Sequence, residues 1–149
     1  MISIGLLTAV DKSGEEHSFL VSFDTHERPM GENQGYWPKI EFNVEQKGIT
    51  GYYQFTVIDL PSEIRVTNMQ NNEIEHLTGK RIGIAMIRFV YELYGKPITS
   101  SSNNDRIKVD YPEFRLPPAT WDILVNAGEA RYDQQRDIYI FGKQKYEKE

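Results

Sequence analysis

The sequence predicts an α/β fold of the α+β kind, in which a mixed, mostly antiparallel central sheet carries helices on its faces. Two observations predict this fold. Apolar and polar residues alternate along most of the first 66 positions, as in half-buried strands, and the apolar period then changes to that of a helix at Ile82. The chain of 149 residues is long enough to bury its own core, so we expect residues 1–149 to form a single domain.

The N-terminal part is predicted to be an antiparallel meander. Phe19, Val21 and Phe23 alternate with other residues as on one face of a strand. The prolines and glycines of residues 27–38 predict a loop that covers or lines something, and the polar cluster at residues 68–72 predicts a turn. The predicted strands cover residues 2–7, 17–23, 39–46, 52–58 and 64–66.

The C-terminal part is predicted to contain two helices. Apolar residues recur at helical spacing over residues 82–93, which indicates a largely buried helix. Thr78 is placed to cap its start, and Gly95 followed by Pro97 is typical of a helix end. A second helix is predicted over residues 120–127, between two prolines and a glycine. The remaining predictions are a strand entering a polar loop at 97–103, an irregular stretch at 105–112 and strands at 129–132 and 138–141.

Composition excludes several classes of function. The chain has no cysteine, which rules out disulfides and thiolate chemistry. Its net charge of −5, with scattered acidic residues, disfavours nucleic-acid binding. There is neither a basic leader nor an apolar run long enough for a membrane span, so we expect a cytoplasmic protein without a membrane partner.

The turn at residues 79–83 is the feature that can carry chemistry. The N–H groups at a helix start lack intrahelical acceptors, and the helix dipole adds positive charge there. Together with Lys80 and Arg81, this turn is suited to a phosphate or pyrophosphate group. It matches neither a Walker A loop nor G-x-G-x-x-G. In the alternative interpretation, Gly79 and Gly83 only allow the helix to start and pack closely, and the two cations face water.

The sequence Gly79-Lys80-Arg81-Ile82-Gly83-Ile84-Ala85-Met86 resembles the signature of the GNAT superfamily of acyl-CoA-dependent N-acetyltransferases. That signature opens the long buried helix after the family's fourth strand. The resemblance continues to the helix of residues 119–128 and the closing strand at 138–141, and covers residues 64–141. It implies a GNAT-like sheet and acetyl-CoA as cosubstrate.

The resemblance also implies the residues around the cosubstrate. Val66 and Thr67 would lie along the pantetheine arm, and Asn103 would touch the cofactor from the neighbouring strand. The pyrophosphate would lie among Gly79, Lys80, Arg81, Ile82, Gly83 and Ile84. The implied activity is direct transfer of an acetyl group to an amine, on either a small molecule or a protein.

Three positions depart from the family pattern. Thr78 stands where Gln or Arg is usual, Arg81 where a glycine is usual, and Leu124 where many members carry a tyrosine acid. Leu124 cannot donate a proton. These departures leave open an alternative, in which the chain is a catalytically inactive GNAT-like protein with a binding or inhibitory role toward a protein partner.

The catalytic candidates are carboxylates and tyrosines. Glu63 is preferred as general base because it lies closest to the strand before the signature, and Tyr132 is a candidate acid. The alternatives are Glu41 and Asp59 for the base, and Tyr111 and Tyr139 for the acid.

No metal site is expected on the histidines. His17, His26 and His76 are far apart in sequence and lack a ligand at short spacing. The oligomeric state stays open.

Overall fold

A computed structural model describes residues 2–29, 36–72, 81–101 and 118–143. Within them the protein is a mixed α/β structure with an eight-stranded sheet and two helices, and all strand neighbours but one are antiparallel. The sheet order is β1-β2-β3-β4-β5-β6-β8-β7. The elements are β1 (Ile2–Val10), β2 (Glu16–Pro29), β3 (Tyr36–Glu45), β4 (Tyr52–Asp59), β5 (Ile64–Asn72), α1 (Ile82–Tyr94), β6 (Ile98–Thr99), α2 (Pro118–Asn126), β7 (Ala130–Asp133) and β8 (Ile138–Phe141).

The first five strands form the expected antiparallel meander. Their alternating pattern places one set of side chains in the core, and Val21, Phe42 and Phe55 are fully buried there. Leu7 and Leu6 show the alternation in β1, because Leu7 is 5% exposed and its neighbour Leu6 is 75% exposed. The register of the meander is therefore set by its apolar face.

The predicted loop at residues 27–38 is wrong at both ends. Glu27 pairs with Pro38 and Pro29 with Tyr36, so β2 and β3 extend into this segment as a long hairpin. Pro38 is compatible with the first residues of β3, because β3 has no partner on the β4 side before Lys39 pairs with Ile58. Residues 30–35 lie outside the described part.

The predicted turn at residues 68–72 is also wrong. The strand β5 continues through these residues, paired with β4 as far as Tyr52 and Asn72. Amide side chains stabilise this pairing, because Asn68 Nδ2 and Gln70 Nε2 donate to Gln54 Oε1 at 3.2 and 3.4 Å. A bulge interrupts the register after Thr56.

The two helices begin and end near their predicted bounds. The helix α1 begins after Arg81, three residues beyond the predicted cap Thr78, which lies outside the described residues. It ends at Gly95, whose φ of 68° and N–H bond to Tyr91 O at 2.8 Å form the expected glycine cap. The first turn of α2 includes Pro118, two residues earlier than predicted.

The core is one cluster to which both helices and the sheet contribute. From α1 it takes Met86, Ile87 and Val90, and from α2 Trp121 and Leu124. Helix α1 contacts β1, β4, β6 and α2, and α2 contacts β7. Among the described residues, neither helix has the length and apolar character of a membrane span.

Leu7 and Leu6 offer a matched test of the sheet register. We expect Leu7→Ala to lower the free energy of unfolding by about 2–5 kcal/mol, because it leaves a cavity in the core. Leu6→Ala removes the same atoms from solvent-exposed surface and should change stability by less than about 0.5 kcal/mol. Chemical denaturation of both variants measures the difference, and equal losses would contradict the register.

Candidate functional site

The strands β5 and β6 form a short parallel pair and then part. Ile64 pairs with Ile98 and Arg65 with Thr99, and these are the β5–β6 pairs within the described residues. The next residue of the chain, Ser100, continues the antiparallel pairing with β8 that Ile98 and Thr99 begin: its N–H donates to Tyr139 O at 3.1 Å, and its Oγ accepts from Tyr139 N at 2.9 Å.

Val66 and Thr67 are the first residues of β5 beyond the parting point. Val66 is fully buried and Thr67 is 3% exposed. The Thr67 hydroxyl lies 3.5 Å from the carbonyl oxygen of Thr56 on β4. Ser100 and Ser101 on the other side are also buried. The predicted pantetheine-side residues therefore lie at the point where the two strands diverge, inside the protein.

Arg81 precedes α1 with a left-handed backbone, at φ 56° and ψ 38°. This conformation costs a non-glycine residue free energy, so surrounding contacts must stabilise it. The first backbone bond of the helix runs from Ala85 N to Arg81 O at 3.2 Å. The N–H groups of Ile82, Gly83 and Ile84 come before that bond. At these first positions of any α-helix the backbone N–H groups have no acceptor within the helix.

Gly83 is buried in the first turn of α1 and packs closely against neighbouring elements. A Cβ atom at this position would lie 2.8 Å from both Met69 Sδ and Tyr53 Oη, and 3.6 Å from Thr120 Cγ2. The glycine thus allows the helix to approach β4, β5 and α2, which supports the packing interpretation of its Cα side.

A cavity of about 200 Å³ opens beside this helix start. Arg81, Ala85 and Arg88 line it from one face of α1, and Val10 lines it from β1. Arg88 is paired with Glu129. Arg81 therefore supplies a positive charge where a polar ligand can approach the first turn.

Glu63, the preferred base, is buried in a cluster of charged and polar groups. Its Oε2 accepts from Thr99 Oγ1 at 2.5 Å and from Arg65 Nη2 at 3.1 Å. Its Oε1 accepts from Arg136 Nη2 at 2.7 Å. Both carboxylate oxygens are thus engaged, and Arg65 is only 1% exposed.

These contacts decide the ionisation of Glu63. Burial opposes the charged form, but the hydrogen bond from Thr99 and the charges and hydrogen bonds of Arg65 and Arg136 outweigh it and hold the pKa of Glu63 below its usual value. A carboxylate with a lowered pKa accepts protons poorly at neutral pH. The geometry thus favours a role for Glu63 in holding β5, β6 and the β7–β8 turn together.

Tyr132, the candidate acid, lies on β7 at the edge of the sheet. Its hydroxyl donates to Asp137 Oδ1 at 2.5 Å, and its side chain is 45% exposed. Two strands separate β7 from β5, a distance of about 14 Å at normal strand spacing. The structure does not bring Tyr132 together with Val66, and its role as an acid stays a prediction.

The remaining predicted residues either lie outside the described part of the chain or are engaged in contacts with neighbouring side chains. Gly79, Lys80, Asn103 and Tyr111 lie outside the described residues. Tyr139 packs on Trp121 and Tyr132, with ring centroids 5.8 and 5.1 Å apart. Glu41 pairs with Lys39 at 2.7 Å, and Asp59 with Lys96 at 2.5 Å.

One histidine does gain acidic neighbours. Side-chain ligand atoms of Asp11, Glu15 and His17 lie within 4.8 Å of one another at the β1–β2 turn. Asp11 Oδ1 accepts from Ser13 N at 2.8 Å and from Glu15 N at 3.0 Å, and Asp11 Oδ2 lies 2.8 Å from His17 Nε2. These hydrogen bonds account for the proximity of the three side chains, because an aspartate commonly accepts from backbone N–H groups in a turn.

Comparison with known proteins gave no match to a family model, to a curated protein or to a solved structure. The GNAT resemblance therefore rests on the residues of this chain. Of the predicted cofactor residues that the structure describes, Val66 and Thr67 lie on β5 just beyond its pairing with β6, and Arg81, Gly83 and Ile84 lie at the start of α1. Their role in holding a cofactor stays a prediction.

Trp121 on α2 carries a polar atom that the sequence pattern does not single out. It is fully buried, and within the described part of the chain its indole Nε1 has no hydrogen-bond partner. An apolar period shows that a tryptophan is buried, but not whether its N–H is satisfied.

Glu63 gives the protein a defined pH dependence. Because its pKa is lower in the folded than in the unfolded state, its contribution to stability is full above about pH 4.3 and is lost as the pH falls through the folded pKa. We expect Glu63→Gln to cost about 3 kcal/mol of unfolding free energy at pH 7. The difference in unfolding free energy between the wild-type protein and Glu63→Gln should decrease as the pH is lowered.

Urea denaturation at pH 7 and pH 3 measures this effect. The control is Glu45→Gln, which changes an exposed carboxylate on β3 and should leave stability almost unchanged at both pH values. A gap for Glu63→Gln that stays constant with pH would contradict the ion-pair assignment.

Proposed function

We propose that this protein is a GNAT-like N-acetyltransferase that binds acetyl-CoA between β5 and β6 and at the start of α1. The nitrogen of an amine, on a small molecule or a protein, attacks the thioester carbonyl; the C–N bond forms, the C–S bond breaks, and CoA leaves as the thiol with the proton that the amine loses. The observation that carries the proposal is the parallel pair of β5 and β6, which ends after Arg65 and Thr99.

The parting strands support an extended ligand. The pairing of β5 with β6 ends at Arg65, but β5 itself continues to Asn72. The residue after β6, Ser100, stays hydrogen-bonded to β8. Backbone N–H and C=O groups on the edge of a strand require partners. A pantetheine arm contains amide groups that can pair with a strand edge in this way.

The backbone of Arg81 supports the resemblance at the helix start. The family pattern has a glycine here, and Arg81 adopts a left-handed φ of 56°, the conformation that glycine favours. The chain therefore has a glycine-like turn before α1 although the residue is different. Since positive φ is uncommon outside glycine, the strain is consistent with a functional constraint on this turn.

Charge supports an anionic ligand. The helix dipole places partial positive charge near the amides of Ile82 and Gly83, and the Arg81 guanidinium lines the adjoining cavity. A pyrophosphate bound there would receive backbone N–H bonds together with a charge-assisted contact. Binding and orientation of acetyl-CoA are the roles of these groups.

The transfer step needs an amine in its neutral form near the thioester. Glu63 is held as an ion-paired carboxylate by Arg65 and Arg136, so we assign it to positioning of the strands. The general base and the general acid stay unassigned among the described residues.

A specific observation favours the second candidate, a GNAT-like protein that binds acyl-CoA or a protein partner without catalysing transfer. The position of the family tyrosine is Leu124, which is fully buried in the core, and both Glu63 and Tyr132 are already hydrogen-bonded. Acetyl-CoA binding without acetylation of any amine by mass spectrometry would favour this candidate.

Calorimetric titration with acetyl-CoA tests the site. We expect Arg81→Glu to weaken binding by about 10- to 100-fold, because it reverses a charge beside the pyrophosphate. Arg81→Gly is compatible with the left-handed turn and removes the side chain with its charge without adding a negative one, so it should weaken binding less than Arg81→Glu.

The matched control is Arg131→Glu, the same charge reversal at an exposed residue of β7. It should bind acetyl-CoA as wild type does. Equal losses in both reversals would indicate a general effect of charge, and absence of binding by the wild-type protein would overturn the proposed function.

A further inference from the structure

Trp121 carries a buried hydrogen-bond donor for which the described part of the chain supplies no acceptor. The residue has no exposed surface, and among the described residues its Nε1 has no acceptor. Burying a polar group without a partner is unfavourable, and native proteins pair nearly all such groups. An unpaired indole N–H at a candidate site therefore points to an acceptor on a ligand.

The ring of Trp121 is linked through Tyr139 to the end of β6. Its ring stacks on Tyr139 with centroids 5.8 Å apart and planes inclined by 16°. Tyr139 is bonded through its backbone to Ser100, the residue at which the chain leaves β6. The indole thus packs on the β8 residue that pairs with Ser100, the first residue after β6.

The preceding residue connects Trp121 with the helix start. Thr120 Cγ2 lies 3.6 Å from the Cβ position of Gly83, in the first turn of α1. The start of α2 therefore contacts both the first turn of α1, through Thr120, and β8, through the ring of Trp121.

The position of Trp121 on α2 adds a chemical argument. Leu124 lies three residues further along, on the same buried face of the helix, because residues at this spacing are neighbours. Leu124 aligns with the family's tyrosine and has no donor. Trp121 supplies a donor one helical turn earlier.

We propose that the Trp121 Nε1–H donates a hydrogen bond to a carbonyl oxygen of the bound acetyl-CoA arm and positions that arm for transfer. This inference rests on the proposed function. The acceptor is a carbonyl in each case, from either the thioester or a pantetheine amide. An indole donates but does not titrate, so Trp121 orients the ligand and does not move a proton.

Nitrogen-15 NMR of the indole groups tests the inference. The chain has two tryptophans, and Trp121→Phe identifies the Trp121 signal by its loss. On titration with acetyl-CoA, we expect the Nε1–H proton of Trp121 to move downfield as the hydrogen bond forms. Trp121→Phe keeps an aromatic ring against Tyr139 and should weaken acetyl-CoA binding by about 2- to 10-fold.

CoA without an acetyl group distinguishes the two carbonyl sources. A downfield shift with acetyl-CoA alone assigns the thioester oxygen, and a shift with both ligands assigns a pantetheine amide. Either result supports the inference.

Two results would overturn it, and they are distinguishable. If acetyl-CoA binds by calorimetry while the Trp121 signal does not move, Trp121 is a packing residue and the proposed function stands. If acetyl-CoA does not bind to the wild-type protein at all, the proposed function fails and this role of Trp121 fails with it. A purely structural role for Trp121 would not produce a ligand-dependent downfield shift.

Discussion

The carboxylate of Glu63 is the contact on which the arrangement of the C-terminal strands depends. It accepts hydrogen bonds from Thr99 on β6, from Arg65 on β5 and from Arg136 in the turn between β7 and β8. One side chain thereby joins three parts of the sheet. Because Arg65 is almost fully buried, its charge requires this partner, and the parallel pairing of β5 and β6 places the two together.

The same cluster limits where β5 and β6 can separate. Arg65 and Thr99 are the last paired residues of the two strands, and both contact Glu63. The strands are paired on one side of this point, and within the described residues their pairing does not continue on the other. In the proposed function, this junction fixes the position of Val66, where the bound pantetheine arm would begin to run along β5.

Much of the fold follows from local patterns in the sequence. Alternation located the β1–β4 strands and β8, and the helical period located α1 to within a residue of its observed start. The errors fell where polar or proline residues lie within strands. Asn68 and Gln70 resemble turn residues in sequence, but cross-strand bonds to Gln54 keep them in β5. Such pairing depends on the partner strand, so local composition does not reveal it.

The site was less accessible to sequence reasoning. The sequence pattern located the helix start at residues 79–83 and a candidate base at Glu63. It did not show that two arginines pair with this carboxylate, because one of them lies 73 residues away in sequence. The left-handed turn at Arg81 was also hidden, since arginine does not indicate positive φ. Only the three-dimensional arrangement shows that the indole Nε1 of Trp121 has no acceptor among the described residues.

Glu63 and Arg136 are far apart in sequence, and this separation affects the order in which parts of the protein fold. The β1–β5 meander is built from hairpin contacts between neighbours in sequence, which form early because little loop entropy opposes them. Glu63 and Arg65 belong to that early part, whereas Arg136 follows both helices. During synthesis on the ribosome, the buried ion cluster therefore stays incomplete until the last strands emerge, and closing it is a late, cooperative step.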